Sequence, residues 1–234
     1  MPLPTVDAPK YNFTLPQSKK KITFRPFRVK EEKVLLLAAE SGDINTIYQA
    51  VHDIVLSCTN DKLNIFKESS VDSEYALIKL RSSSVGDTMK PNLMCVHCEN
   101  KCSVKIKSDD LVIDDSNQKE NRITVSEDMI IELRYPSFAE EIRNTSIEDN
   151  IDMVFDSVSS AINKIYYKDE VFDISEYNKE EIESFVDELE TNIFTQIIDY
   201  IAGKPKVKIP VKFVCPSCEK TTELLLEGME SFFG

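Results

Sequence analysis

Glycine and histidine are scarce in this chain: five glycines and two histidines among 234 residues. It has no phosphate-binding glycine loop, no Gly-x-Ser-x-Gly elbow and no His-Glu-x-x-His pair, so the familiar routes to nucleotide, acyl and metalloprotease chemistry are missing. No apolar run reaches the roughly 18 residues that a membrane span needs. The opening MPLPTVDAPKYNF lacks a basic start and an apolar core, so no secretory leader is expected and folding in a cytosol is. Positive charge is also short: the net charge is −13. That disfavours general nucleic-acid binding, which depends on Lys and Arg neutralising phosphates, and disfavours anionic membrane surfaces. Plain solubility accounts for the charge, with a basic partner protein as the other reading.

What the chain does have is six cysteines: Cys58, Cys95, Cys98, Cys102, Cys215 and Cys218. In a reducing compartment clustered cysteines point to metal or redox roles more than to disulfides. Cys58 stands alone and reads as a small buried hydrophobe. CVHC at 95–98 and CPSC at 215–218 each abut a strand-like segment. A redox motif of the thioredoxin kind needs a helix after the pair and a βαβ frame, and few residues follow Cys218. A structural zinc site needs four soft ligands, usually two Cys-x-x-Cys pairs on turns. The wide gap between the pairs is tolerable because loop-closure entropy rises only with the logarithm of length. The expected set is Cys95, Cys98, Cys215 and Cys218 around one structural zinc ion. Cys102 or His97 replacing one of them is the rival, and metal-free thiols are the bland reading. A four-thiolate site is closed to water, hence structural and not catalytic.

Hydrophobic patterning predicts an α+β fold: a helical domain, a small antiparallel zinc-knuckle subdomain and an extended N-terminal arm. Residues 1–28 hold Pro2, Pro4, Pro9, Pro16 and Pro26 and read as an arm with one short strand. Residues 29–90 read as helical. VKEEKVLLLAAES and DINTIYQAVHDIVLSC form a hairpin across Gly42, with Asp43 as an N-cap. A third helix starts near Asp72 and leaves at Gly86. His52, mid-helix, reads as a surface or interface residue. Residues 91–137 read as the first knuckle and an antiparallel meander. Residues 138–203 read as two helices. One carries a stripe from Ile147 through Val154, Val158 and Ile162; the other runs unbroken from Asn178 to Gly203 with an acidic outer face of Glu180, Glu183, Asp187, Glu188 and Glu190. Residues 204–234 read as the second knuckle and a closing hairpin that packs on the first, Pro210 placing its strand at an edge or a bulge. The two knuckles echo each other weakly.

The stretch YNFTLPQSKKKITFRPFRVKEEKVLLLAAESGD is distinctive. Its Leu-Pro, basic run and FRPFRVKEEK resemble the baseplate hub assembly proteins of T-even-like contractile-tailed bacteriophages. LRSSSVGD, LRYPS at 133–137, and a terminal Cys-x-x-Cys followed by Gly and Phe-Phe agree in order. The resemblance implies a non-enzymatic role, as hub subunit or assembly chaperone, with other hub proteins as partners and the tape-measure protein as a candidate. It places the protein in the host cytoplasm during assembly and, for a subunit, in the virion tail baseplate. It brings no catalytic residues. Phe24, Arg25, Phe27 and Arg28 are the segment to connect with partner binding; the alternative is that Phe24 and Phe27 lock the arm onto the helices. Two other classes remain. A zinc-ribbon nucleic-acid binder would use Lys101, Lys105, Lys107, Lys206, Lys208, Lys212 and Lys220, and an oxidoreductase would use a low-pKa Cys215.

Overall fold

The N-terminal arm is a docked β-hairpin. Strand β1 (Tyr11–Thr14) pairs antiparallel with β2 (Lys21–Phe24), Phe13 facing Ile22 and Tyr11 facing Phe24. One strand was expected; the second forms because YNFT alternates as KITF does, burying Phe13, Ile22 and Phe24. The Phe13 ring lies 5.2 Å from Phe24 and edge-on to Tyr75 at 6.0 Å. The buried Asp72 carboxylate accepts the Gln17 and Ser18 amides at 2.7 and 2.8 Å, which fixes the turn.

This is a computed structural model, and it describes residues 7–145 and 151–228. Pro2, Pro4, Ile147 and the terminal Phe232 and Phe233, all used in the sequence reading, lie outside the described residues.

Helix α1 (Val29–Ser41) starts where Glu31 folds back to accept the Arg28 amide at 2.7 Å and ends at Gly42 in the left-handed region, φ 67°. Asp43 caps α2 (Ile44–Thr59) by accepting the Asn45 and Thr46 amides. Ser69 caps α3 (Ser70–Val85), and Gly86 closes it. His52 is buried, not surface: its ring stacks on Phe66 at 4.4 Å and Nε2 lies 3.2 Å from Asn64 Oδ1. Its apolar faces meet an aromatic while its nitrogens meet polar atoms, which makes burial inexpensive.

Four short strands follow as two nested hairpins. β3 (Thr88–Met89) pairs with β6 (Ile106–Lys107) outside β4 (Asn92–Met94) and β5 (Lys101–Ser103). β7 (Val112–Asp114) leaves them for another sheet. The single meander expected over 91–137 is therefore not formed. β8 (Arg122–Ser126) and β9 (Met129–Leu133) begin a separate four-stranded antiparallel sheet.

Helix α4 (Phe138–Thr145) and α5 (Ile151–Ala161) precede β10 (Ile162–Tyr167) and β11 (Glu170–Asp173). The sheet order is β11-β10-β9-β8. Ile162, expected on a helical stripe, opens β10, because INKIYY is rich in β-branched and aromatic residues and fits a half-buried strand. The expected single helix from Asn178 is two: α6 (Lys179–Asp187) and α7 (Thr191–Ala202). Glu190 takes an extended conformation between them, φ −62° and ψ 144°. The apolar period carries on through the break, so periodicity could not reveal it.

β12 (Lys206–Val214) and β13 (Thr221–Glu227) close the described chain as an antiparallel hairpin, with β7 on the far side of β12. Pro210 thus lies in the middle strand, not at an edge. The neighbour on that side is only three residues long against nine in β12, which leaves room for a residue without an N–H.

Two compact units result. One joins residues up to Ile113 with those from Lys206 onward; the other is Asp114–Pro205. Both knuckles belong to the first, whose core gathers Ile78, Leu93, Val104, Val207, Ile209 and Leu226 around Cys95 and Cys215. The second packs Val158, Ile193 and Ile197 on Ile131 and Ile162. The chain is α+β. No helix of the described residues is long and apolar enough to cross a membrane.

Candidate metal centre

Each cysteine pair sits in the turn of a hairpin, and the two turns share one backbone form. In the first, between β4 and β5, the Cys95 amide donates to the Asn100 carbonyl at 3.0 Å and the Glu99 amide to the Cys95 carbonyl at 2.9 Å. In the second, between β12 and β13, Cys215 donates to Lys220 at 3.0 Å and Glu219 to Cys215 at 2.9 Å. Glu99 and Glu219 are both left-handed, φ 58° and 57°, a conformation uncommon for residues with a Cβ. The matching geometry follows a matching sequence, Cys-x-x-Cys-Glu.

The turns meet face to face. Cys95 Sγ lies 3.7 Å from Cys218 Sγ, and Cys98 Sγ lies 3.6 Å from Cys215 Sγ. All four sulfurs fall within 4.8 Å of one another. A bonded disulfide would bring two sulfurs to about 2.05 Å. Four thiolates around zinc at about 2.3 Å would stand about 3.8 Å apart, from tetrahedral geometry alone. The observed spacing has the second scale. Cys95 and Cys215 are buried, Cys218 partly so, and Cys98 exposed.

The surroundings repeat the near-twofold relation. Seven positions after Cys95 stands Cys102; seven after Cys215 stands Thr222. The Cys102 thiol contacts Cys215 Sγ at 3.8 Å, and the Thr222 hydroxyl contacts Cys95 Sγ at 3.3 Å. Each lies on the strand leaving one turn and touches the first cysteine of the other. Cys102 is thereby a neighbour of the quartet and outside it. His97 is also outside: its Nε2 lies 3.1 Å from the Thr221 carbonyl oxygen. Thr222 was missed in the sequence, where only alignment of the two Cys-x-x-Cys-Glu segments would have paired it with Cys102.

The electrostatics suit a cation. The Thr222 hydroxyl, then the His97 amide, pull Cys95 down to about 6. The Cys218 and Ser217 amides lower Cys215. Cys98 is pushed up to about 12: the Asn100 amide opposes this, but burial and the neighbouring sulfurs prevail. Burial and then Cys215 raise Cys102. Four thiolates cannot gather without a positive charge among them, so some keep their protons; a divalent ion at the centre reverses that logic. Donor type, spacing and amide pattern all fit zinc. Cys58 stands apart, buried, its thiol pushed up to about 11 by burial.

Of the segment singled out for partners, Phe24 is in the core. Arg25 donates to Glu31 at 2.9 Å and Ser57 at 3.0 Å. The Phe27 amide donates to Ser84 at 2.9 Å, its side chain half-buried; Arg28 is exposed. Around the knuckles, Lys208 and Lys206 contact Glu227 at 3.0 and 3.4 Å, and Lys212 pairs with Glu223.

A family model described as T4 bacteriophage base plate protein matches residues 8–234. The baseplate hub assembly protein gp26 of Enterobacteria phage T4 is 26% identical over 224 residues, spanning 95% of this chain and 97% of that protein. No solved structure matches the chain. With the match running through both cysteine turns, the chain belongs to the T4 bacteriophage base plate protein family.

Proposed function

We propose that this protein is a non-enzymatic assembly factor or subunit of a phage tail baseplate hub, and that it works by binding other hub proteins. The observation that carries the reading is the end-to-end match to a protein named for hub assembly. The tape-measure protein is a candidate partner. Assembly in the host cytoplasm and residence in the tail follow from the same reading. Cys95, Cys98, Cys215 and Cys218 hold one structural zinc ion, which supplies a cross-link between the two halves of the knuckle unit. With four protein sulfurs as ligands, no position is left for water or substrate.

The nucleic-acid alternative has less support. Three of its lysines already face Glu223 or Glu227, and a paired lysine has less charge to give a phosphate.

Two measurements test the proposal. Elemental mass spectrometry on protein purified without chelator should find about one zinc per chain, lost in both Cys95→Ser and Cys215→Ser. Co-expression with the hub proteins of the same phage should yield a stable complex. A metal-free chain sinks the zinc assignment; no complex with any hub protein sinks the assembly role.

A further inference from the structure

Helix α1 packs on α2 but buries only Glu31 and Ala38. Its opposite side carries apolar side chains into solvent: Val29 is 80% exposed, Leu36 61% and Leu37 56%. At 3.6 residues per turn, Val29, Lys33, Leu36, Leu37 and Glu40 share that outward stripe. Single exposed leucines are ordinary; a contiguous stripe on one short helix marks an interaction face.

The charges on the stripe identify the occupant. Lys33 lies toward the N-terminal half and Glu40 one heptad later, toward the C-terminal end. A helix face with a basic half and an acidic half complements its own reverse. In an antiparallel pairing about a two-fold axis, the register that sets Leu36 against Leu37 of the second copy also sets Lys33 against Glu40. It brings Val29 to the far end of the other helix, beside the Gly42 turn, where Ile44 is also exposed. One register thus satisfies apolar and charged positions together, and antiparallel helix dipoles add to it. We infer that the outward face of α1 is a self-association surface, taking α1 of a second copy of this chain.

The face is small. A 13-residue helix is about 20 Å long, and two crossing helices fall short of the roughly 1,200 Å² of standard complexes. The dimer is therefore weak and concentration-dependent, dissociated in the submicromolar range and formed in the hundreds of micromolar. This inference is independent of the zinc assignment.

Sedimentation equilibrium across that range tests it. The wild type should move from one chain mass toward two. Leu36→Asp, at an exposed position, should keep its circular dichroism and remain monomeric throughout. Lys33→Glu should weaken the dimer by roughly tenfold at low salt, and adding Glu40→Lys should return most of the loss. A wild type that stays monomeric at the highest concentration overturns the inference, whatever other protein the face captures. So does a dimer indifferent to Leu36→Asp, or a charge swap that fails to recover association.

Discussion

Cys102 and Thr222 occupy equivalent places in the two hairpins, and each points a weak donor at the first cysteine of the opposite turn. A donor next to a thiolate steadies its charge without binding metal. That assigns the two residues a supporting role and yields contrasting outcomes. Cys102→Ser retains a donor and all four sulfurs, so about one zinc per chain should remain. Thr222→Val removes the hydroxyl beside Cys95, and metal affinity should fall by about 10–100-fold. Competition against a chromophoric chelator reads both. Loss of the metal in Cys102→Ser would make Cys102 a ligand and displace one of the four.

At the level of elements, Gly42 and Gly203 both follow a helix, for different reasons. Gly42 is left-handed, with open space where a Cβ would go. Gly203 has an ordinary φ of −79°. A Cβ there would stand 2.3 Å from the Asn117 carbonyl oxygen, and backbone cannot step aside as a flexible side chain can. Gly203→Ala should therefore destabilise the unit Asp114–Pro205 by about 1–3 kcal/mol. Chemical denaturation followed by a probe in that unit measures it, and an unchanged midpoint would refute the clash. Helix ends of this kind were legible in the sequence: the Gly42 stop, the Asp43 cap and the Gly86 exit all stand where turn and cap chemistry put them. Changes that kept the same apolar spacing were not. Ile162 continues a helical stripe yet opens β10, and the break at Glu190 leaves the spacing of α6 and α7 intact. Partnership between strands was hidden too, because β7 pairs with β12 across a stretch that local pattern does not bridge.

For the whole molecule, the cysteine quartet could be read from two short motifs, since Cys-x-x-Cys spacing is a local property. The inserted unit could not, since nothing in the local pattern says that residues before Asp114 and after Pro205 rejoin. Cys98 and Cys215 meet across 117 positions of chain. Closing a loop of about that length with a covalent cross-link constrains the unfolded chain by on the order of 4–5 kcal/mol. The zinc proposed for the two pairs would act in the same sense, and its removal should be felt where the loop is closed. The short strands β4 and β5 depend on that closure most, for three-residue strands carry little stability of their own. The sheet β11-β10-β9-β8 has its own core around Ile131 and Val158. Stripping the metal at neutral pH should therefore raise amide exchange across β4, β5 and the knuckle ends of β12 and β13, while β8 to β11 keep their protection. Exchange mass spectrometry with and without chelator distinguishes the outcomes. Loss of protection throughout the chain would mean that the metal holds the two units in one cooperative fold. Unchanged exchange in the knuckles would mean that they fold on apolar packing alone, and that the four sulfurs meet without need of an ion.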